Sequence, residues 1–207
     1  MKNVTLFSAI ALATLLWNCK HDSVEPTVDA YKLDDKKSVA EWKGSLRTGY
    51  FNEGAITVKS DQLLVQDGKV TGGSFTIPVS SIVNFNLPTE ELKEQLTHHL
   101  QSADFFNMAL HPNITYAITS ITPYTGKEGV AGANYQVNGD LTMLGKTNAV
   151  AFPARIQVEN GQLAVEATLS VDRTKWGINY ATDPNLPDEG YIMPAIGIHL
   201  KLAGSKQ

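Results

Sequence analysis

The chain predicts an all-β fold with one short helix, closed as an elongated antiparallel β-barrel of about eight strands. Three observations carry that expectation. From Ala30 onward, short runs of alternating apolar and polar residues are punctuated by Gly, Asn and Asp. Two dipeptides, Asp67-Gly68 and Asn160-Gly161, sit between apolar arms and favour the positive φ angles of tight hairpin turns. A single stretch, Thr89 to Leu100, breaks the alternation and has helical spacing instead.

At the start of the chain, Lys2 is followed by a mostly apolar run from Val4 to Trp17, which has the form of an export signal over residues 1–18. The run is shorter than the ~20 residues that cross a bilayer as a helix. Cys19 follows it directly, with Leu16 three positions earlier and the bulky polar Asn18 immediately before it. That placement resembles the lipidation site of exported bacterial lipoproteins, and it implies acylation of Cys19. Residues 19–29 are polar, contain Pro26 and lack periodicity, so they read as a flexible tether. Residues 30–204 read as one barrel domain, because no composition break divides them.

Strands are expected at Val39 to Leu46, Ala55 to Lys59, Gly73 to Val79, Thr115 to Thr122, Tyr135 to Met143, Val150 to Val158, Ala164 to Val171 and Ile192 to Leu202. The hairpins add arms at Leu63-Leu64-Val65 with Val70, and at Ile156-Gln157-Val158 with Leu163-Ala164-Val165. In the helix, Leu92, Leu96 and Leu100 fall on one face. Pro88 and Thr89 suit its start, and Glu90 and Glu91 lie where the helix dipole favours negative charge. The leucine stripe needs an apolar surface, which either an end of the barrel or the outside of its wall would supply.

Alternation groups side chains by face without saying which face is inward. Taking the apolar face as inward places Trp42, Ile56, Phe75, Ile77, Val137, Leu141, Val165, Leu169, Ile196, Ile198 and Leu200 inside. Thr71, Gln136, Asn138, Glu166, Thr168, His199 and Lys201 then face water. A barrel of this size either encloses one small apolar ligand or is filled by its own side chains, and the residues leave both open.

Charge and composition narrow the chemistry. Across 207 residues, 17 basic and 21 acidic side chains give a formal net charge of −4, too weak a field to hold a polyanion, so nucleic acid is not an expected partner. With Cys19 the sole cysteine, neither an internal disulfide nor a cysteine metal cage can form, and no cofactor is expected. His98, His99 and His111, with Asp104 among them, raise the idea of a metal-dependent enzyme. Adjacent helical residues diverge by about 100°, and no H-x-x-x-H pair is present, so a structural role near the helix C-terminus is preferred and no metal is expected. No G-x-S-x-G elbow marks a hydrolase, and Gly126, Gly129 and Gly132 lie between strands rather than opening a phosphate-binding helix. Asp172, Arg173 and Lys175 form a charged cluster that reads first as a solvated loop with an internal ion pair, and second as a site for an anionic head group. Phe105 and Phe106 read chiefly as core plugs.

The order of residues in the centre of the chain resembles the YceI-like family of bacterial lipid-binding proteins. His99-Leu100, Ser102, Asp104-Phe105-Phe106, Pro112, Gly139-Asp140-Leu141-Thr142, Gly145 and Thr147 follow that pattern. Ser38-Val39 and Trp42 precede it, and Arg173, Trp176-Gly177 and Tyr180 complete it. Lys37 stands where the family usually has His, and Leu96-Thr97 where it has an Arg-Asp pair. The resemblance implies a lipocalin-like barrel whose tunnel holds an apolar lipid such as an isoprenoid, in a protein that is not an enzyme. With Phe106 included, the expected ligand contacts are Trp42, Ile56, Phe75, Ile77, Phe106, Val137, Leu141, Val165, Leu169, Ile196 and Ile198. With Cys19 as anchor, the expected place is the membrane surface of the cell envelope or periplasm. The competing expectations are a surface interaction module with a filled barrel and, more remotely, the histidine-based metal enzyme. Whether the chain is a monomer or a homodimer is open.

Overall fold

The wall of the barrel closes because its last strand finds partners on both edges. The computed structural model describes residues 27–207, so the expected export signal, Cys19 and most of the tether lie outside the described residues. The strands, in chain order, are β1 (Val28–Leu33), β2 (Val39–Ser45), β3 (Phe51–Thr57), β4 (Lys59–Gln66), β5 (Lys69–Pro78) and β6 (Val83–Asn84). After helix α1 (Glu90–Gln101) come β7 (Asn113–Pro123), β8 (Tyr135–Met143), β9 (Lys146–Glu159), β10 (Gln162–Asp172) and β11 (Ala195–Lys206). All form one antiparallel sheet, in which β11 pairs with β10 on one edge and with both β1 and β2 on the other.

β1 and β2 lie one after the other along β11, and β3 and β4 are separated by Val58 alone. Each couple therefore acts as one long, bent wall strand, and the result is a closed antiparallel barrel of eight strands. Bending a strand interrupts its ladder, and two buried serines repair the interruption. Ser38, fully buried, donates from Oγ to Ala203 O at 3.0 Å and accepts from Ala203 N at 3.2 Å. Ser60 Oγ accepts from Leu33 N at 2.8 Å. Both hydroxyls replace ladder partners that the bend removes, which satisfies backbone groups that would otherwise be buried without a hydrogen bond.

The turn chemistry follows the expected rule. Asp67 and Gly68 have φ of 51° and 72°, and Asn160 and Gly161 have 51° and 73°, the signs of a type I′ hairpin. A third such turn joins β8 to β9 through Leu144 and Gly145, at φ of 49° and 70°. A leucine in that conformation carries no sequence signal, and β9 begins at Lys146 rather than at the expected Val150. β1 was read as tether in part: Val28 and Asp29 pair with Gln66 and Val65, and Asp29 accepts an ion pair from Lys206 at 2.7 Å. Its alternation is too short to be seen without the partner strands. β11 correspondingly runs past residue 204 to Lys206.

Gly139 has a packing reason. A Cβ at that position would stand 2.4 Å from Tyr116 Cζ and 2.6 Å from Ala117 O. The Tyr116 ring occupies the space and donates its hydroxyl to Val150 O at 3.1 Å. Burial, and then the nearby Asp140, push that phenol well above its ordinary range. On the outer face, Glu166 joins three strands: it is ion-paired to Arg155 and accepts from His199 Nε2 at 2.9 Å. His199 Nδ1 stands 3.4 Å from Glu41, which accepts from Lys201 at 2.7 Å.

Two outcomes follow from these contacts. Gly139→Ala should lower stability by about 1–3 kcal/mol, whereas Gly72→Ala, whose Cβ would meet nothing within 4 Å, should be near neutral in urea unfolding. Equal costs would show that the Tyr116 ring has room to move. The hydrogen bond from His199 chiefly, with Arg155 and Lys201 assisting, holds the Glu166 carboxyl below its usual range. Its stabilising effect is therefore present above the unfolded-state pKa and lost as pH falls through the lower folded value. Between about pH 5 and about pH 3, Glu166→Gln should lose less unfolding midpoint than the wild type; parallel curves would remove Glu166 as a contributor.

Candidate functional site

The inward faces of the wall do not meet. Between them lies a cavity of about 300 Å³, at the lower end of the ~300–1,000 Å³ range of ligand pockets. Its lining on β10 extends from Leu163 to Val171, about 26 Å along the strand, so the space is elongated like the barrel. All eleven side chains expected from sequence to contact a ligand line it: Trp42, Ile56, Phe75, Ile77, Phe106, Val137, Leu141, Val165, Leu169, Ile196 and Ile198. Ile56, Phe75 and Val137 are buried, and the others are half-buried with one side turned to the cavity. Leu200, expected inside, lines it too.

The lining contains no Asp, Glu, His or Lys among the described residues. Its polar members are few, and those other than Tyr116 lie toward the end where α1 sits: Trp42, Ser45, Tyr50, Asn52 and Arg173. Thr89 caps α1 by accepting from Leu92 N at 3.3 Å. Leu96 and Leu100 face the cavity while Leu92 is 41% exposed, so the helix covers the end of the barrel rather than its outer wall. Beyond the helix the chain folds back sharply, with Phe106 N donating to Leu100 O at 3.0 Å and Asn107 at φ 44°. That reversal presents both Phe105 and Phe106 to the cavity.

The residues that sequence reading grouped as a signature meet here. His99 stands edge-on to Phe105 and to Tyr180, with ring centroids 5.0 and 4.8 Å apart, and its Nε2 lies 3.1 Å from Asp104 Oδ2. Phe105 and Tyr180 are 5.2 Å apart. Trp176, 2% exposed, donates from Nε1 to Leu141 O at 2.9 Å and belongs to a smaller core beside the cavity. The histidines are dispersed in function: His99 engages Asp104, His98 is exposed, and His111 lies beside Gly145. Among the described residues, no three His, Cys, Asp or Glu side chains gather as a metal group would require.

Arg173 corrects the reading of its cluster as a solvated loop with an ion pair. It is 4% exposed, and its guanidinium donates to Ile178 O at 2.7 Å, Tyr180 O at 2.9 Å and Ile192 O at 3.1 Å. Burial lowers its pKa, opposed by the charge of Asp172. Asp172 turns instead to Thr174, accepting from its N at 3.0 Å and Oγ1 at 2.7 Å, and these bonds hold its carboxyl below the usual range. The arginine thus ties together the segment that crosses the barrel end. Arg47 ties the same segment to the β2–β3 hairpin: its guanidinium lies 3.8 Å over the Tyr191 ring and 3.0 Å from Asp188. A lone Arg with no acidic partner at helical or cross-strand spacing gives no sequence signal for such a role.

The sequence profile of the YceI-like domain matches residues 31–203 of this chain. Protein YceI of Escherichia coli is 32% identical over 91 residues, 41% of this chain and 44% of that protein. A UPF0312 protein of Azotobacter vinelandii is 32% identical over 90 residues, 40% of this chain and 44% of that protein. The aligned stretch thus spans less than half the length of each relative. Among solved structures, Burkholderia cenocepacia BcnA superposes with a TM-score of 0.63 at 18% identity, covering 83% of this chain and 98% of that one. A polyisoprenoid binding domain from Saccharophagus degradans, implicated in plant cell wall breakdown, superposes with a TM-score of 0.58 at 14% identity, covering 86% and 99%. At such identities the likeness is one of fold.

Arg173→Met should destabilise the protein by about 2–4 kcal/mol in urea unfolding, since three buried carbonyls lose their donor, and Arg173→Lys should recover part of the loss. A methionine variant as stable as the wild type would show that the carbonyls find other partners.

Proposed function

The chain belongs to the YceI-like domain family, and from that premise we propose that it is a binding protein that holds one long apolar chain inside its barrel. The ligand class is a polyisoprenoid, a quinone or a fatty acyl lipid. The observation that carries the reading is the elongated cavity lined by aliphatic and aromatic side chains. Moving several hundred Å² of an apolar chain out of water gains roughly 25 cal/mol per Å² and needs no charged residue in the tunnel. The cavity is also what separates this reading from that of a surface module with a filled barrel. The Saccharophagus domain, a polyisoprenoid binding protein by name, has the same fold and supports the choice of ligand class.

A binding role rather than a catalytic one is supported by the lining. Its titratable groups are Tyr50, Tyr116 and Arg173, and of these Tyr116 and Arg173 donate to backbone carbonyls. The apolar run before Cys19 supports export, with acylation of that cysteine as a membrane anchor in the cell envelope or periplasm.

Native mass spectrometry after gentle purification should find a copurifying apolar chain. Leu169→Trp, which places a large ring in the tunnel, should fold and carry at least about tenfold less of it. Wild-type protein that is reproducibly free of lipid and does not take up an offered one would overturn the reading.

A further inference from the structure

Among the described residues, three buried side-chain polar atoms have no hydrogen-bond partner: Trp42 Nε1, Asn52 Oδ1 and Arg173 Nε. All three belong to residues that line the cavity. They also lie at the same end of it. Trp42 pairs across β2 and β3 with Gly54, and Asn52 with Gly44, so the two side chains are diagonal neighbours on the inward face with a glycine opposite each. The indole leans over Gly54, where a Cβ would stand 2.8 Å from Cζ2 and 2.9 Å from Cε2, and this fixes where Nε1 lies. Arg173 reaches the same region through Ile192, whose carbonyl it bonds and which pairs with Leu46, two residues beyond Gly44.

A buried donor or acceptor left unmade is costly, and native proteins rarely keep one without a use. Phe and Leu would line the tunnel at these two wall positions without that cost. The three atoms together offer two donors and one acceptor in a tunnel whose other polar side chains are Ser45, Tyr50 and Tyr116. A hydrocarbon answers none of them, and an ether or a quinone carbonyl answers the donors but not Asn52. An anionic head needs several donors when buried, whereas Arg173 has given its terminal nitrogens to carbonyls, and the Asn52 oxygen would repel it. A group that both accepts and donates without charge answers all three.

Building on the tunnel reading above, we propose that the ligand is a single-headed amphiphile. Its uncharged head, a hydroxyl or primary amide, sits against Trp42, Asn52 and Arg173, and its tail points toward the Asp67-Gly68 and Asn160-Gly161 hairpins. This narrows the ligand class from any long apolar chain to alcohols and amides, and it sets the direction in which the chain lies.

The test uses the full chain stripped of lipid, with calorimetric titration of three probes of equal length: geranylgeraniol, its methyl ether and its phosphate. The alcohol should bind about tenfold tighter than the ether, and tighter than the phosphate. Asn52→Leu should weaken the alcohol about five- to tenfold while leaving the ether unchanged, which also shows that the variant is folded, and Trp42→Phe, which removes a donor open to both oxygens, should weaken alcohol and ether together. Equal binding of alcohol and ether, tighter binding of the phosphate, or an Asn52→Leu variant that weakens alcohol and ether alike would overturn the head-group assignment and leave the tunnel reading standing. Binding of none of the three would overturn both.

Discussion

The double pairing of β11 is the constraint on which the rest of the molecule depends. A sheet of this length has two edges, and each exposes a row of unpaired backbone groups unless the wall closes. Closure is made by β10 on one side of β11 and by β1 and β2, end to end, on the other. The strand can serve two partners in sequence because the chain between them bends outward, and the bend is tolerated because Ser38 supplies both a donor and an acceptor to Ala203. Without that repair, the joint would leave backbone groups buried and unmatched at the place where the wall meets itself. The cavity exists because a wall of eight strands is too wide for these side chains to fill to its axis.

Closing the wall leaves the ends, and the end near α1 is sealed by a different chemistry. There the aromatic cluster of His99, Phe105 and Tyr180 joins α1 and the turn after it to a segment held by Arg173 through three carbonyls. These are among the residues that mark the chain as YceI-like; His99 and Tyr180 belong to the cap, while Phe105 and Arg173 also line the tunnel. The family signature therefore specifies how the barrel is capped. What the tunnel accepts is set by the apolar inward faces and the few polar atoms at the capped end, and Trp42, Phe106, Leu141 and Arg173 belong both to the signature and to the lining.

Much of this was legible in the sequence because the features are local. The hairpin dipeptides, the Thr89 cap and the alternation of Val165 and Leu169 against Glu166 and Thr168 each follow from neighbouring residues, and the inward set came from alternation alone. Features that need a partner far along the chain were not legible. Ser38 reads as any polar residue before a strand until Ala203 is beside it. The first two residues of β1, Val28 and Asp29, read as tether because their order comes from β4, and the Leu144 turn gives no signal because it is stabilised by the strands it joins. Arg173 was assigned to solvent because nothing near it in sequence shows three carbonyls converging on one guanidinium. The hollow interior was equally invisible, since alternation fixes which side chains face inward but not how far apart the opposing walls stand.

The central claim is that the barrel is hollow so that an apolar chain can lie along its axis. A high-resolution crystal structure of the protein, purified gently from the cell that makes it, addresses that claim most directly. The account predicts continuous, unbranched or evenly branched density running beside the inward face of β10 from Val171 toward Leu163, in contact with side chains in the positions described above. Side chains of opposing strands packed against one another across the axis, with no density between them, would contradict it.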